Sequence, residues 1–181
     1  MKILTFIACC FLLLSGCKDP NANDNADFDF NYAILLNKEL DDLKKSEATI
    51  EKKIYYQGKS ETKTLDMPEW EKELRPFVEC NIQTPAFDKL YSEEKRTSGD
   101  SLIYTFKAKT EKPEIRVLEV IIVKQQLKII EASLFKKNSY FTLNESLLYR
   151  AGEGYRIKGS QKMMLAAETV YRIEAKFKVP S

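Results

Sequence analysis

Tyr171-Arg172-Ile173-Glu174-Ala175-Lys176-Phe177-Lys178-Val179 decides the fold. Its apolar residues, Tyr171, Ile173, Ala175, Phe177 and Val179, alternate with charged ones. A period of two puts one set on a buried sheet face and the other in solvent. Burying Ile173 and Phe177 alone contributes about 3–6 kcal/mol before conformational entropy is counted. The same period recurs upstream. In Leu102–Lys109, the residues Leu102, Tyr104, Phe106 and Ala108 share a face opposite Thr105, Lys107 and Lys109. Ile115–Lys124 is apolar almost throughout, which predicts a central strand covered on both sides. Leu127–Phe135, Phe141–Tyr149 and Tyr155–Leu165 follow, parted by turns at Lys136-Lys137-Asn138 and Gly152-Glu153-Gly154. Short connections impose antiparallel neighbours. Residues from about 101 to 179 are therefore predicted to form a curved meander of five or six strands.

The preceding residues read as the cover for that sheet. Tyr32, Leu36, Leu40 and Leu43 recur at helical spacing, and the helix ends near Ser46. Residues 47–66 have two readings. Ile50 and Ile54 could extend the helix, or β-branched and aromatic residues around Gln57-Gly58 could form a hairpin, which the composition favours. Asp66-Met67-Pro68-Glu69-Trp70 reads as a helix entrance, with Trp70, Leu74, Phe77 and Val78 on one face. Pro85–Glu94 reads as a third helix capped by Thr84, with Phe87, Leu90 and Tyr91 inward and Asp88 and Lys89 outward. The polar turn Arg96–Asp100 closes this half. The predicted class is α+β: N-terminal amphipathic helices over about residues 30–96 packed on the meander, as a single domain from 30 to 181.

The first seventeen residues set a location. Lys2 precedes the apolar run Ile3–Leu14, which ends in Leu14-Ser15-Gly16-Cys17. Charged start, apolar run and small-residue junction resemble a bacterial lipoprotein signal, with an ordinary cleaved signal as the alternative. The run is too short to span a bilayer, which needs about twenty residues. The resemblance implies cleavage of residues 1–16, lipid on the Cys17 thiol and acylation of the new amino terminus. Several acyl chains on one residue make attachment effectively permanent, because a single chain binds only marginally. The membrane is then the first partner, through Cys17. Residues 17–29 form a disordered acidic tether that reaches about 40 Å when extended. Lys18-Asp19 resembles the short acidic export signals of Bacteroidetes surface lipoproteins, interrupted by Pro20 and Asn21. The expected location is the outer membrane of a Gram-negative bacterium, on either its surface or its periplasmic side.

Composition removes several function classes. Formal net charge is +2, and bases and acids are interspersed, so there is no basic stripe for nucleic acid. There is no His. Ser-His-Asp and Cys-His catalysis and His-ligated zinc are thereby excluded, and no cofactor or metal is expected. Cys9 and Cys10 leave with the signal and Cys17 carries lipid. Cys80 remains, in an apolar stretch that predicts burial without catalysis. Gly58-Lys59-Ser60 lacks the earlier glycine of a phosphate loop, since position 53 is Lys53, and is a turn. Asp19, Asn21 and Asn23 alternate as in a calcium loop, but Asp24 and Phe30 replace its glycine and its final Glu. Gly152, Gly154 and Gly159 fit turns and bulges.

Glu69, Glu71, Glu73, Glu93 and Glu94 could pair for glycosidase chemistry, but read as a solvated helix face beside Lys72, Lys95 and Arg96. Met163-Met164 reads as core filling, with a pocket as the alternative. Tyr55, Tyr56, Tyr140, Tyr149 and Tyr155, with Tyr91, exceed what a small core needs. The first five are the candidate binding face.

Trp70-Glu71-Lys72-Glu73-Leu74, Phe77, Asn81-Ile82-Gln83-Thr84-Pro85-Ala86 and Tyr91, with Gln57-Gly58-Lys59 and Glu61 upstream, resemble a family of small uncharacterised Bacteroidetes lipoproteins. The family form has Trp-x-x-Glu-Leu, Asp-Ile-Asn-Lys-Pro-Ala and an Asn-Gly-Lys turn. This chain departs at Asn81, Gln83, Thr84 and Gln57, so any role of that acid is absent here. The resemblance is specific over about residues 54–91 and implies a location but no activity. The expected function is a membrane-anchored, non-enzymatic binding or structural module for an envelope protein or other envelope component. A carrier of lipid or lipoprotein acyl chains, like the LolA and LolB half-barrels, is the alternative by architecture alone. A carboxylate-based hydrolase is more remote.

Overall fold

Asn31 starts the first helix by accepting a hydrogen bond from the Ile34 N–H at 2.9 Å, which satisfies one free donor of the first turn. In the computed structural model, which describes residues 30–87 and 89–180, helix α1 runs Tyr32–Lys45. The signal segment, Cys17, Lys18, Asp19 and the tether lie outside the described residues. Strands β1 (Thr49–Tyr56) and β2 (Lys59–Leu65) follow, then two one-turn helices, α2 (Trp70–Glu73) and α3 (Arg75–Val78). Seven strands complete the chain: β3 (Tyr91–Ser98), β4 (Ser101–Ala108), β5 (Ile115–Val123), β6 (Gln126–Lys137), β7 (Phe141–Arg150), β8 (Gly154–Met163) and β9 (Thr169–Lys178).

All nine strands form one open antiparallel sheet in the order β2-β1-β9-β8-β7-β6-β5-β4-β3. The α+β class and the antiparallel meander therefore stand, but nine strands replace five or six. The added three come from the half expected to be helical. Residues 47–66 form the hairpin, with Gln57 and Gly58 both at positive φ, as a tight type I′ turn requires. That hairpin joins the sheet through β9, where Ile50 faces Phe177 and Ile54 faces Ile173.

The third predicted helix is replaced by a turn from Thr84 and then by β3. Of β3 only Tyr91 is buried. Ser92–Ser98 shows neither period, because an edge strand with both faces wet has no apolar set to alternate. Charges on such an edge oppose pairing with another chain. Arg96–Ser98 is accordingly strand, and the turn shrinks to Gly99-Asp100.

The helices cover one face of the sheet. Tyr32, Leu36, Leu40 and Leu43 of α1 are buried as expected. Trp70 meets Phe177 edge-on at 5.1 Å, and Phe77 packs on Tyr149 and Tyr155 at 5.5 and 5.8 Å. Val78 and Val179, expected inward, are 42% and 57% exposed. Among the described residues no helix lies on the far face of β5, where Val117, Ile121 and Val123 are half-buried.

Two carboxylates tie the layers together. Glu39 of α1 accepts from the Tyr149 hydroxyl at 2.6 Å and from the Gly152 N–H at 3.1 Å. Glu73 of α2, expected on a solvated face, instead accepts from the Tyr155 hydroxyl and holds Lys52 Nζ at 2.8 and 3.1 Å. Glu73→Ala is expected to cost about 3 kcal/mol, because it leaves a partly buried ammonium unpaired. A shifted urea midpoint measures this, and the double change Lys52→Met, Glu73→Leu should recover most of it.

Candidate functional site

Because opposed residues in a ladder share a face, the pairing registers show what stands on the side of the sheet away from the helices. One row runs Tyr55, Arg172, Lys158, Ser146 and Ser133 across β1, β9, β8, β7 and β6. Beside it runs Val170, Ser160, Asn144 and Phe135. Between these rows and the Gln57-Gly58 turn lies an open groove of about 830 Å³. That is within the range of ligand sites.

Each end of the groove carries a guanidinium on an aromatic ring. Arg172 Cζ sits 4.0 Å from the Tyr55 ring centroid, with Lys53 Nζ at 4.9 Å from the same ring. Hydrogen bonding to Lys53, with Arg172 adding, holds the Tyr55 hydroxyl below its ordinary pKa. At the other end Arg116 Cζ lies 5.1 Å from the Phe135 centroid. Arg116 occupies a register shift, because Ile115 pairs with Leu134 while Val117 pairs with the next residue, Ser133. This bulge re-aims one side chain, so Arg116 and Val117 both reach the open face. Lys158 stands exposed between the two stacks.

The Arg172 Nε lies 3.5 Å from Glu174 Oε1 as an ion pair, yet it is buried without a hydrogen-bond acceptor. Among the described residues Glu145 is the one acid lining the groove, and its carboxylate accepts the Tyr171 hydroxyl on the helix side. The groove therefore presents cations interspersed with the hydroxyls and amide of Ser133, Ser146, Ser160 and Asn144.

The five candidate tyrosines do not converge. Tyr55 and Tyr56 border the groove from opposite faces of β1. Tyr140 is 70% exposed in the β6–β7 loop and lies outside it. Tyr149 and Tyr155 belong to the core at 0% and 5% exposure. Burial first, and then the hydrogen bonds to Glu39 and Glu73, push both hydroxyls well above the ordinary tyrosine range. Tyr91 is also internal, donating to the Ile115 carbonyl at 3.0 Å. Met163 and Met164 are 44% and 66% exposed, so they fill no core gap.

Cys80 is fully buried and donates to the Pro76 carbonyl at 3.2 Å. Burial pushes its thiol up to about 12, which keeps it protonated and unreactive. The candidate acids are divided between α2, which packs over β1 and β9, and β3 at the far sheet edge. Among the described residues no group of three or more His, Cys, Asp or Glu is placed to hold a metal, and no helix is long and apolar enough to cross a membrane.

Comparison with known protein families, curated proteins and solved structures finds no match to this chain.

Proposed function

We propose that this protein is an envelope lipoprotein, held to the outer membrane through lipid on Cys17, that works as a non-enzymatic binding module. Its binding surface is the groove on the open sheet face. The observation that carries this is the groove itself: 830 Å³, on the face without helices, edged by two arginine–aromatic stacks. Each guanidinium already lies against a ring before a ligand arrives, so less side-chain entropy is lost on binding.

An acyl-chain carrier needs an open apolar concavity between sheet and helices. Here that space is filled by Phe77, Tyr104, Tyr149, Phe106 and Leu118, all at most 2% exposed. Hydrolysis needs two converging acids. Glu69, Glu71 and Glu94 instead pair singly with Lys72, Lys44 and Lys107.

The test is purification of the full chain from its membranes in mild detergent, with native mass spectrometry of what stays bound. A non-lipid component is expected, and Ser146→Trp, which fills the groove from an exposed position, should remove it without lowering the melting temperature. A stoichiometric acyl lipid beyond the anchor, or no bound component in the unaltered protein, overturns the proposal. For the anchor, Cys17→Ser should release the protein from membranes, and unchanged retention with normal cleavage refutes lipidation.

A further inference from the structure

We propose that the groove binds an acidic glycan, a hydroxyl-rich chain carrying carboxylate or sulfate groups, laid across the strands from the Tyr55–Arg172 stack to the Phe135–Arg116 stack. This rests on the groove being the binding surface.

Four strand spacings separate β1 from β6, which at ~4.8 Å each gives about 19 Å, the length of several sugar units. Along that line Arg172, Lys158 and Arg116 supply positive charge; the row that holds Arg172 and Lys158 contains no acid, and Glu174, two residues along β9, pairs with Arg172 from the neighbouring row. Charge complementarity therefore selects an anion. Between the cations, Ser133, Ser146 and Asn144 offer short donors and acceptors suited to ligand hydroxyls.

Other anions fit less well. A peptide that adds a strand needs an unpaired edge, whereas β9, β8, β7 and β6 are each paired on both sides. Single-stranded nucleic acid needs free aromatic faces for base stacking, but the rings of Tyr55 and Phe135 each already have a guanidinium against them. Glu174 meets Arg172 only through a 3.5 Å ion pair at Nε that is not a hydrogen bond, so it offsets this charge only in part.

The experiment uses the full chain in detergent and measures binding to polygalacturonate, dextran sulfate, neutral dextran and single-stranded DNA. At least one acidic polysaccharide is expected to bind, more weakly as salt rises, and neutral dextran is not. Which of the two binds separates carboxylate from sulfate recognition. Lys158→Ala and Arg172→Ala should each weaken binding about tenfold, as expected for loss of a charge-assisted contact. Lys176→Ala removes an equal charge from the same face outside the groove and should leave binding unchanged.

Binding to DNA as tight as to the glycan, equal loss in Lys176→Ala, or full binding in the groove variants overturns the assignment. If no acidic polysaccharide binds while Ser146→Trp still strips the component found on the membrane-purified protein, the glycan assignment falls and the binding module stands.

Discussion

Gly154→Ala is expected to unfold the protein or leave it marginally stable, while Gly152→Ala, two residues away, costs about 1–2 kcal/mol. Both glycines have positive φ, +70° at Gly152 and +144° at Gly154. A Cβ on Gly152 meets nothing within 4 Å, so the cost there is the left-handed backbone alone. A Cβ on Gly154 would stand 2.0 Å from the Ala175 carbonyl oxygen and 3.1 Å from Lys176 Cα. Those are backbone atoms of the adjacent strand, which cannot rotate aside. The loop cannot retreat either, because the Phe177 N–H donates to the Glu153 carbonyl at 2.9 Å and Gly152 is held by Glu39. A conformation nearly exclusive to glycine, combined with a backbone overlap, places the loss at about 4 kcal/mol or more. Total stability of a domain this size is about 5–15 kcal/mol. Urea midpoints of the two variants check the contrast, and equal midpoints would refute it.

That pair also marks what could be read in the sequence. Of the glycines read as turns and bulges, Gly152 is a turn, but Gly159 lies within β8 in unbroken register beneath the Tyr171 ring. Which glycine meets a neighbouring backbone depends on register. Strands β4 to β9 were legible from apolar residues that alternate, as in β4 and β9, or run nearly unbroken, as in β5, between polar turns, and α1 because its four buried residues keep helical spacing. What failed was the edge. In β3 the run Glu93-Glu94-Lys95-Arg96 resembles a helix surface, and only its pairing with β4 makes it a strand.

The groove was illegible for a related reason. Arg116, Lys158 and Arg172 each look like ordinary solvent-facing residues of an alternating strand. They meet only because the registers of five strands and one bulge align them. Tyrosine count pointed to Tyr149 and Tyr155, whose rings are core. Of the five, only Tyr55 and Tyr56 border the groove, and the arginine beside Tyr55 carried no signal until β1 was paired with β9.

Raising the pH above about 10 is expected to unfold the protein cooperatively. Tyr32, Tyr149 and Tyr155 are at most 5% exposed, and burial pushes all three hydroxyls above the ordinary range, with carboxylate partners adding at Tyr149 and Tyr155. Tyr91 is pushed up to about 12 by burial first and then by Cys80. In the unfolded chain these groups lose their protons near pH 10. The native state therefore binds more protons than the unfolded state above that pH, and stability falls as pH rises. It is fully present below about pH 10 and is lost upward through about 12, where Tyr91 begins to ionise within the fold. Each buried tyrosine contributes about 1.4 kcal/mol per pH unit in that window, so three give about 4 kcal/mol per unit. Two units then remove about 8 kcal/mol, within the range of about 5–15 kcal/mol that a typical domain has in total. Circular dichroism and the tyrosinate absorbance of the buried hydroxyls should change together in a single transition. Tyr149→Phe removes one of the groups and should make the loss of stability shallower, at the cost of one hydrogen bond below pH 10. Ionisation of Tyr32, Tyr149 and Tyr155 near pH 10 with the sheet signal intact would show that these hydroxyls are not buried as described.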